Sequence, residues 1–138
     1  MDAGGRTIFA GTIDEVAIYS ASLSSAQVAL HYSAGNSVAS SAYSQSVLSD
    51  TPSAFYQVDD VNTALSDVST NHVSGSYGAG VVRRSQAVLS SSTDPVAFFP
   101  GGAWVASAIA AVPANSLLQP ANVSVEAWVR PSSVPSHK

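Results

Sequence analysis

Two adjacent carboxylate pairs, Asp14-Glu15 and Asp59-Asp60, together with Glu126, are the residues that could carry acid–base chemistry. Retaining glycoside hydrolysis needs two carboxyl groups about 5 Å apart in one cleft. On a strand this means alternate positions on one face. The pairs here are adjacent, so within regular strands their members point to opposite faces. Glu126 has Ser124, Trp128 and Arg130 at its same-face positions, none of them a carboxylate. Hydrolysis is therefore not expected, and strand-end hydrogen bonding is the reading for these acids.

A metal site has better material. Asp67, Ser69 and Asn71 lie in the turn-rich segment "LSDVSTNHVSGSYGAG" (65–80) and offer hard oxygen ligands of the kind Ca²⁺ takes. Asp14 or Asp59 could approach that turn in a folded sandwich. The same residues can instead close the turn through Asx hydrogen bonds. His31, His72 and His137 are scattered without ligand spacing, and no cysteine is present, so a zinc or disulfide site is not expected. His31 is expected to pack on or beside a helix. Exposed aromatic rings could stack on sugars. Trp104, Trp128, Tyr77 and Tyr56 are the rings available; Trp104 and Tyr77 are the candidates for ligand binding, and Trp128, in mid-strand, is better placed for packing. The sequon "NVS" (122–124) falls at a strand and is read as incidental.

The elements that must position these residues are mostly short strands. "TIDEVAIY" (12–19) is β-branched and aromatic-rich, with Val16 and Ile18 on one face and Ile13, Ala17 and Tyr19 on the other. Apolar groups on both faces predict a strand covered on both sides. Ser24 and Gln27 form a capping box, with Leu23 and Val28 as a hydrophobic staple, for a helix over about 25–33. Gly35 is placed as its left-handed C-cap. Residues 36–53 are rich in Ser and Ala and end near Pro52, which reads as a linker. "SAFYQVDD" (53–60), "PVAFFPGGAWVASA" (95–108, broken at Pro100-Gly101-Gly102) and "NVSVEAWVRP" (122–131) supply further strands. The fold class is all-β, a sandwich with one short helix near the N-terminus.

The composition agrees. The 138 residues are 46 % hydrophobic and 10 % charged, so a core is available and the surface must be neutral and polar. A net charge of −4, with only Arg83-Arg84 as a basic pair, argues against nucleic acid as partner. The apolar run "AWVASAIAAVPA" (103–114) is about half the roughly 20 residues of a membrane span, so no membrane insertion is expected. Residues 1–11 have neither a basic start nor an apolar core of a signal peptide.

The segment "FAGTIDEVAIYSASLSSAQVALHYSAG" (9–35) resembles the closing segment of laminin-G-like, concanavalin A-like jelly-roll domains, through Phe9, Gly11, Ile13, Asp14, Glu15, Val16, Ile18, Tyr19, Leu23, Ser24 and Tyr32. "VLSDTPSAFYQVDD", "SDVSTNHVSGSYGAG" and "NVSVEAWVRPSS" are similar to stretches from the beginning of the same family, with Thr70 departing from its usual glycine. The order is thus end, linker, beginning: residues 1–36 as the tail of one module, 37–50 as linker, 51–138 as the first part of the next. A piece of a tandem array is expected over a permuted, complete jelly roll. The resemblance implies a non-catalytic module of a secreted or cell-surface multidomain protein, binding a glycan or an extracellular protein. Such modules often carry Ca²⁺, which would fall to Asp67, Asn71 and Asp14. The competing reading is an accessory domain of a glycoside hydrolase. Half a sandwich would also expose strand edges through which copies could associate.

Overall fold

The computed structural model describes residues 9–39, 41–84, 88–89, 94–101 and 108–132. In chain order the elements are β1 (Gly11–Tyr19), α1 (Ser25–Gly35), α2 (Ala42–Ser49), β2 (Ala54–Tyr56), β3 (Ala64–Leu65), β4 (Gly75–Tyr77), β5 (Val82–Arg84), β6 (Val96–Phe99), β7 (Ala110–Ala111) and β8 (Ser124–Pro131), with a 3-10 turn at Ser116–Leu118 before β8. The strands form two antiparallel sheets: β1, β2, β5, β6 and β8 in one, β3-β4-β7 in the other. Among the described residues no helix is long and apolar enough to cross a membrane.

β1 organises the larger sheet. Along one edge it pairs with β8, from Gly11↔Pro131 to Tyr19↔Ser124. Its other edge is shared: residues 11–13 pair with β6 and residues 16–18 with β2. The first-met strand is therefore held by the later segments around Ala97–Phe99 and Val125–Val129. Both faces are covered, as its composition predicts. Ala17 and Tyr19 pack with Tyr43, Val47, Phe55 and Leu89. Val16 and Ile18 pack against Ala54, Tyr56, Val58, Leu65 and Tyr77.

The alternation breaks in the first half of β1. The register with β8 shifts between Asp14 and Ala17, and Glu15 takes a left-handed φ of 52°. This is a β-bulge, which adds a residue and changes the phase of the side chains. Ile13 consequently lines the same cavity as Val16, rather than sharing a face with Ala17 and Tyr19.

α1 begins as its sequence dictates. The Ser24 backbone N–H donates to Gln27 Oε1 at 2.8 Å and the Gln27 N–H donates to Ser24 Oγ at 3.3 Å. Leu23 packs against the Tyr19–Phe55 cluster, while Val28 is exposed. The C-terminus differs from expectation. Gly35 is the last helical residue, and Asn36, with φ of −92°, is the cap. What requires glycine is proximity: a Cβ on Gly35 would lie 2.2 Å from Trp128 Cζ2. Gly35→Ala should thus destabilise the chain by about 1–3 kcal/mol through overpacking, despite alanine's better helix propensity. A urea melt reads the difference, and a stabilised variant would contradict the packing.

The serine-rich stretch expected as linker contains a second helix. Tyr43 and Val47, one turn apart on α2, are both buried in the core beside Phe55. Two apolar residues at that spacing suffice to dock a short helix even where its other positions are Ser, Gln and Ala.

Candidate functional site

α1 meets β8 through two pairs of positions that their periodicities bring together. Glu126 and Trp128 share a strand face, and His31 and Gly35 are one helical turn apart. His31 is 2 % exposed. Its Nδ1 lies 3.0 Å from Glu126 Oε2 and its Nε2 lies 3.1 Å from Asp50 Oδ2, at the C-terminal end of α2. Tyr19 Oη donates to the other Glu126 oxygen at 2.7 Å. The ring is sandwiched by Tyr19, stacked at 6.4 Å, and Tyr43, edge-on at 6.3 Å. Burial, and next the Glu126 carboxylate, push both tyrosine hydroxyls well above the usual range. Nδ1 meets Glu126 in hydrogen-bond geometry, whereas Nε2 faces Asp50 at close range without a hydrogen bond. Both nitrogens face carboxylates rather than a hydroxyl nucleophile, so the array clamps β1, β8, α1 and α2 together rather than activating a nucleophile.

Beside this clamp a groove of about 350 Å³ opens between α1 and β8, lined by Val28, Tyr32, Tyr43, Glu126, Trp128 and Val129. Tyr32 stacks on Trp128 with centroids 5.9 Å apart and planes 10° from parallel. Trp128 is held on its other sides by Tyr43, edge-on, and by Gly35. Tyr32 remains 66 % exposed. β8 turns Ser124, Glu126 and Trp128 inward, and its valines outward: Val125 is 61 % and Val129 52 % exposed. Among the described residues β8 pairs with β1 alone, and of its two outward valines Val129 lines the groove.

Of the residues singled out for metal binding, Asp67 and Asn71 share one turn and are engaged in hydrogen bonds, while Asp14 lies apart. Asp67 is buried, and its two carboxylate oxygens accept from the backbone N–H groups of Phe55, Ser69 and Val73 and from Ser69 Oγ, at 2.7–2.9 Å. It pins the 67–73 turn to β2. Asn71 Nδ2 donates to the Ser53 carbonyl at 3.0 Å. Asp14 lies elsewhere, on β1, and accepts from the Val88 N–H at 3.4 Å. Among the described residues no three His, Cys, Asp or Glu side chains are grouped to hold a metal ion.

The aromatic candidates divide differently from expectation. Tyr77 is buried on β4, lining the space between the sheets, with the Arg83 guanidinium 4.5 Å from its ring centroid; its ring does not face solvent as a sugar platform would. Tyr56 is buried, its hydroxyl donating to the Val73 carbonyl at 2.7 Å. Trp104 lies outside the described residues. Trp128 packs on the core, and its partner Tyr32 provides the exposed ring.

Simple alternation does not hold at Asp14 and Glu15, where the register shifts. The bulge buries both, at the fork where the β6 and β2 pairings of β1 part. Burial raises Glu15 to about 9, with Asp14, then Asp59 and Asp94, adding repulsion. Burial likewise raises Asp14 to about 6. Glu15 Oε2 is buried without a hydrogen-bond partner. Neither residue lines the α1–β8 groove or the space between the sheets. Carboxyls with separated pKa values can serve as acid and base, but only where substrate reaches them.

The clamp and groove were not legible from spacing, because His31 and Glu126 are 95 residues apart. The clues were a lone histidine in a capped helix and a strand whose polar positions alternate with valine. Compared with protein-family models, curated proteins and solved structures, the chain matches none.

Proposed function

We propose that the chain is a non-catalytic binding module of the laminin-G-like jelly-roll type, working outside the cell and taking a polypeptide partner in the α1–β8 groove. The observation that carries this reading is the exposed Tyr32 ring, fixed flat against Trp128 at the mouth of a groove bordered by outward valines. Rigid aromatic side chains such as Tyr and Trp are what protein interfaces place at their energetic centres. Both oxygens of the groove's carboxylate, Glu126, already accept from Tyr19 and face His31. The lining therefore suits apolar side chains better than the many hydroxyls of a glycan.

The experiment is a nitrogen-15 NMR titration of the chain against a displayed-peptide library and a panel of oligosaccharides. Selected peptides should shift resonances of Val28, Tyr32, Trp128 and Val129. Tyr32→Ala should weaken them at least tenfold while changing stability by no more than about 1.5 kcal/mol, since only one exposed stacked pair is lost. Ligands that map elsewhere, or that bind Tyr32→Ala as well as the parent chain, would overturn the proposal.

A further inference from the structure

We propose that the cavity between the two sheets is a binding site for a medium-chain fatty acid, with the acyl chain among the core side chains and the carboxylate at Tyr77 and Arg83. The cavity holds about 410 Å³ and is lined chiefly by Ile13, Val16, Val58, Leu65, Phe99 and Val112, with Ala108–Ala110 at an open rim where Ile109 is exposed. That volume lies in the range of small-molecule sites, and the lining is apolar on nearly all sides. Left empty, such a void forfeits packing contacts over its whole lining.

Tyr77 in the cavity wall, and Arg83 packed on that ring behind the lining, carry polar groups without an acceptor. Tyr77 is buried, lines the cavity, and its hydroxyl has no hydrogen-bond partner. Arg83 lies over the Tyr77 ring, its guanidinium 4.5 Å from the centroid. Its Nη2 donates to the Val58 and Asp60 carbonyls, leaving Nε and Nη1 buried with no acceptor. Buried donors of this kind are costly unless met. A carboxylate supplies acceptors for the guanidinium and the phenol together. Asp59, close enough to feel Arg83, offsets part of the guanidinium charge, so hydrogen bonding to these donors, more than net charge, selects the ligand.

The test is titration of the full chain with decanoate below its micelle concentration, followed by methyl NMR and thermal melts, with decanol as control. Decanoate should saturate, shift the methyl resonances of Ile13, Val58 and Val112, raise the Tm, and bind about tenfold more tightly than decanol. Tyr77→Phe keeps the ring and should weaken decanoate about tenfold with little effect on decanol; Arg83→Gln should act in the same direction. Absence of saturable binding would mean that solvent satisfies the three polar groups, and it overturns the proposal. Equal affinities for acid and alcohol, or shifts confined to surface methyls, overturn it too.

Discussion

Glu15→Gln should make the chain more stable at neutral and alkaline pH, by roughly 3–5 kcal/mol at pH 8. The carboxyl titrates at about 4.5 when exposed and at about 9 in the folded chain, chiefly because it is buried and then because Asp14, Asp59 and Asp94 repel its charge. Between those values the native state holds a proton that the unfolded state has released. Stability is therefore fully present below about pH 4.5 and declines as pH rises toward 9, at about 1.36 kcal/mol per unit for this one group. Glutamine resembles the neutral acid in shape and cannot ionise, so the variant should flatten most of that slope. The residual slope belongs to Asp14, raised from 3.8 to about 6, and to Asp59, also raised, both chiefly by burial. Urea melts from pH 4 to 9 measure both curves. If they run parallel, Glu15 is ionised at little cost and the fork is not the acid-stabilised junction described above.

His31→Ala should be the most destabilising single substitution at the α1–β8 contact, costing about 3–5 kcal/mol. It removes a buried ring between two aromatic neighbours and leaves the Glu126 and Asp50 carboxylates facing each other across the space it filled. His31→Gln should recover part of the loss by donating to one carboxylate. His31→Ala with Glu126→Gln should cost less than the sum of the single changes, because the second removes a charge that the first has stranded. Denaturant melts of the three variants and the parent close this cycle. Strict additivity would show that the histidine acts through ring packing alone.

Much of the strand framework was readable because β-branched and aromatic runs bounded by turn residues survive in short segments. β1, β2, β6 and β8 fall at "TIDEVAIY", "SAFYQVDD", "PVAFFPGGAWVASA" and "NVSVEAWVRP", though β2 and β6 occupy only three and four residues of theirs. The capping box located the start of α1 for a similar reason, being a wholly local hydrogen-bond exchange. Other features depended on distant partners. Nothing near Gly35 announces the Trp128 ring that forbids a side chain there. Tyr43 and Val47 are unremarkable in a serine-rich run until Phe55 and Tyr19 provide the surface they cover. The bulge at Glu15 was hidden in a regular-looking strand, and with it the shared burial of two acids that simple alternation assigns to opposite faces. Asp67 reads equally well as ligand or turn former, and only the positions of the Phe55, Ser69 and Val73 amides show where its oxygens are used.

The pairing of β1 with β8 also governs how this chain must fold. The hydrogen bond from Tyr19 to Glu126 closes a separation of 107 residues, and the ladder beside it runs the length of both strands. Loop-closure entropy is lost before those contacts form, so topologies of this kind fold in milliseconds to seconds rather than microseconds. During synthesis at about 5–20 residues per second, β1 leaves the ribosome several seconds ahead of its longest partner. For that interval its apolar faces must rest on α1, α2 and β2, the neighbours that arrive first. The helices that later flank the groove are in this sense the strand's earliest chaperones.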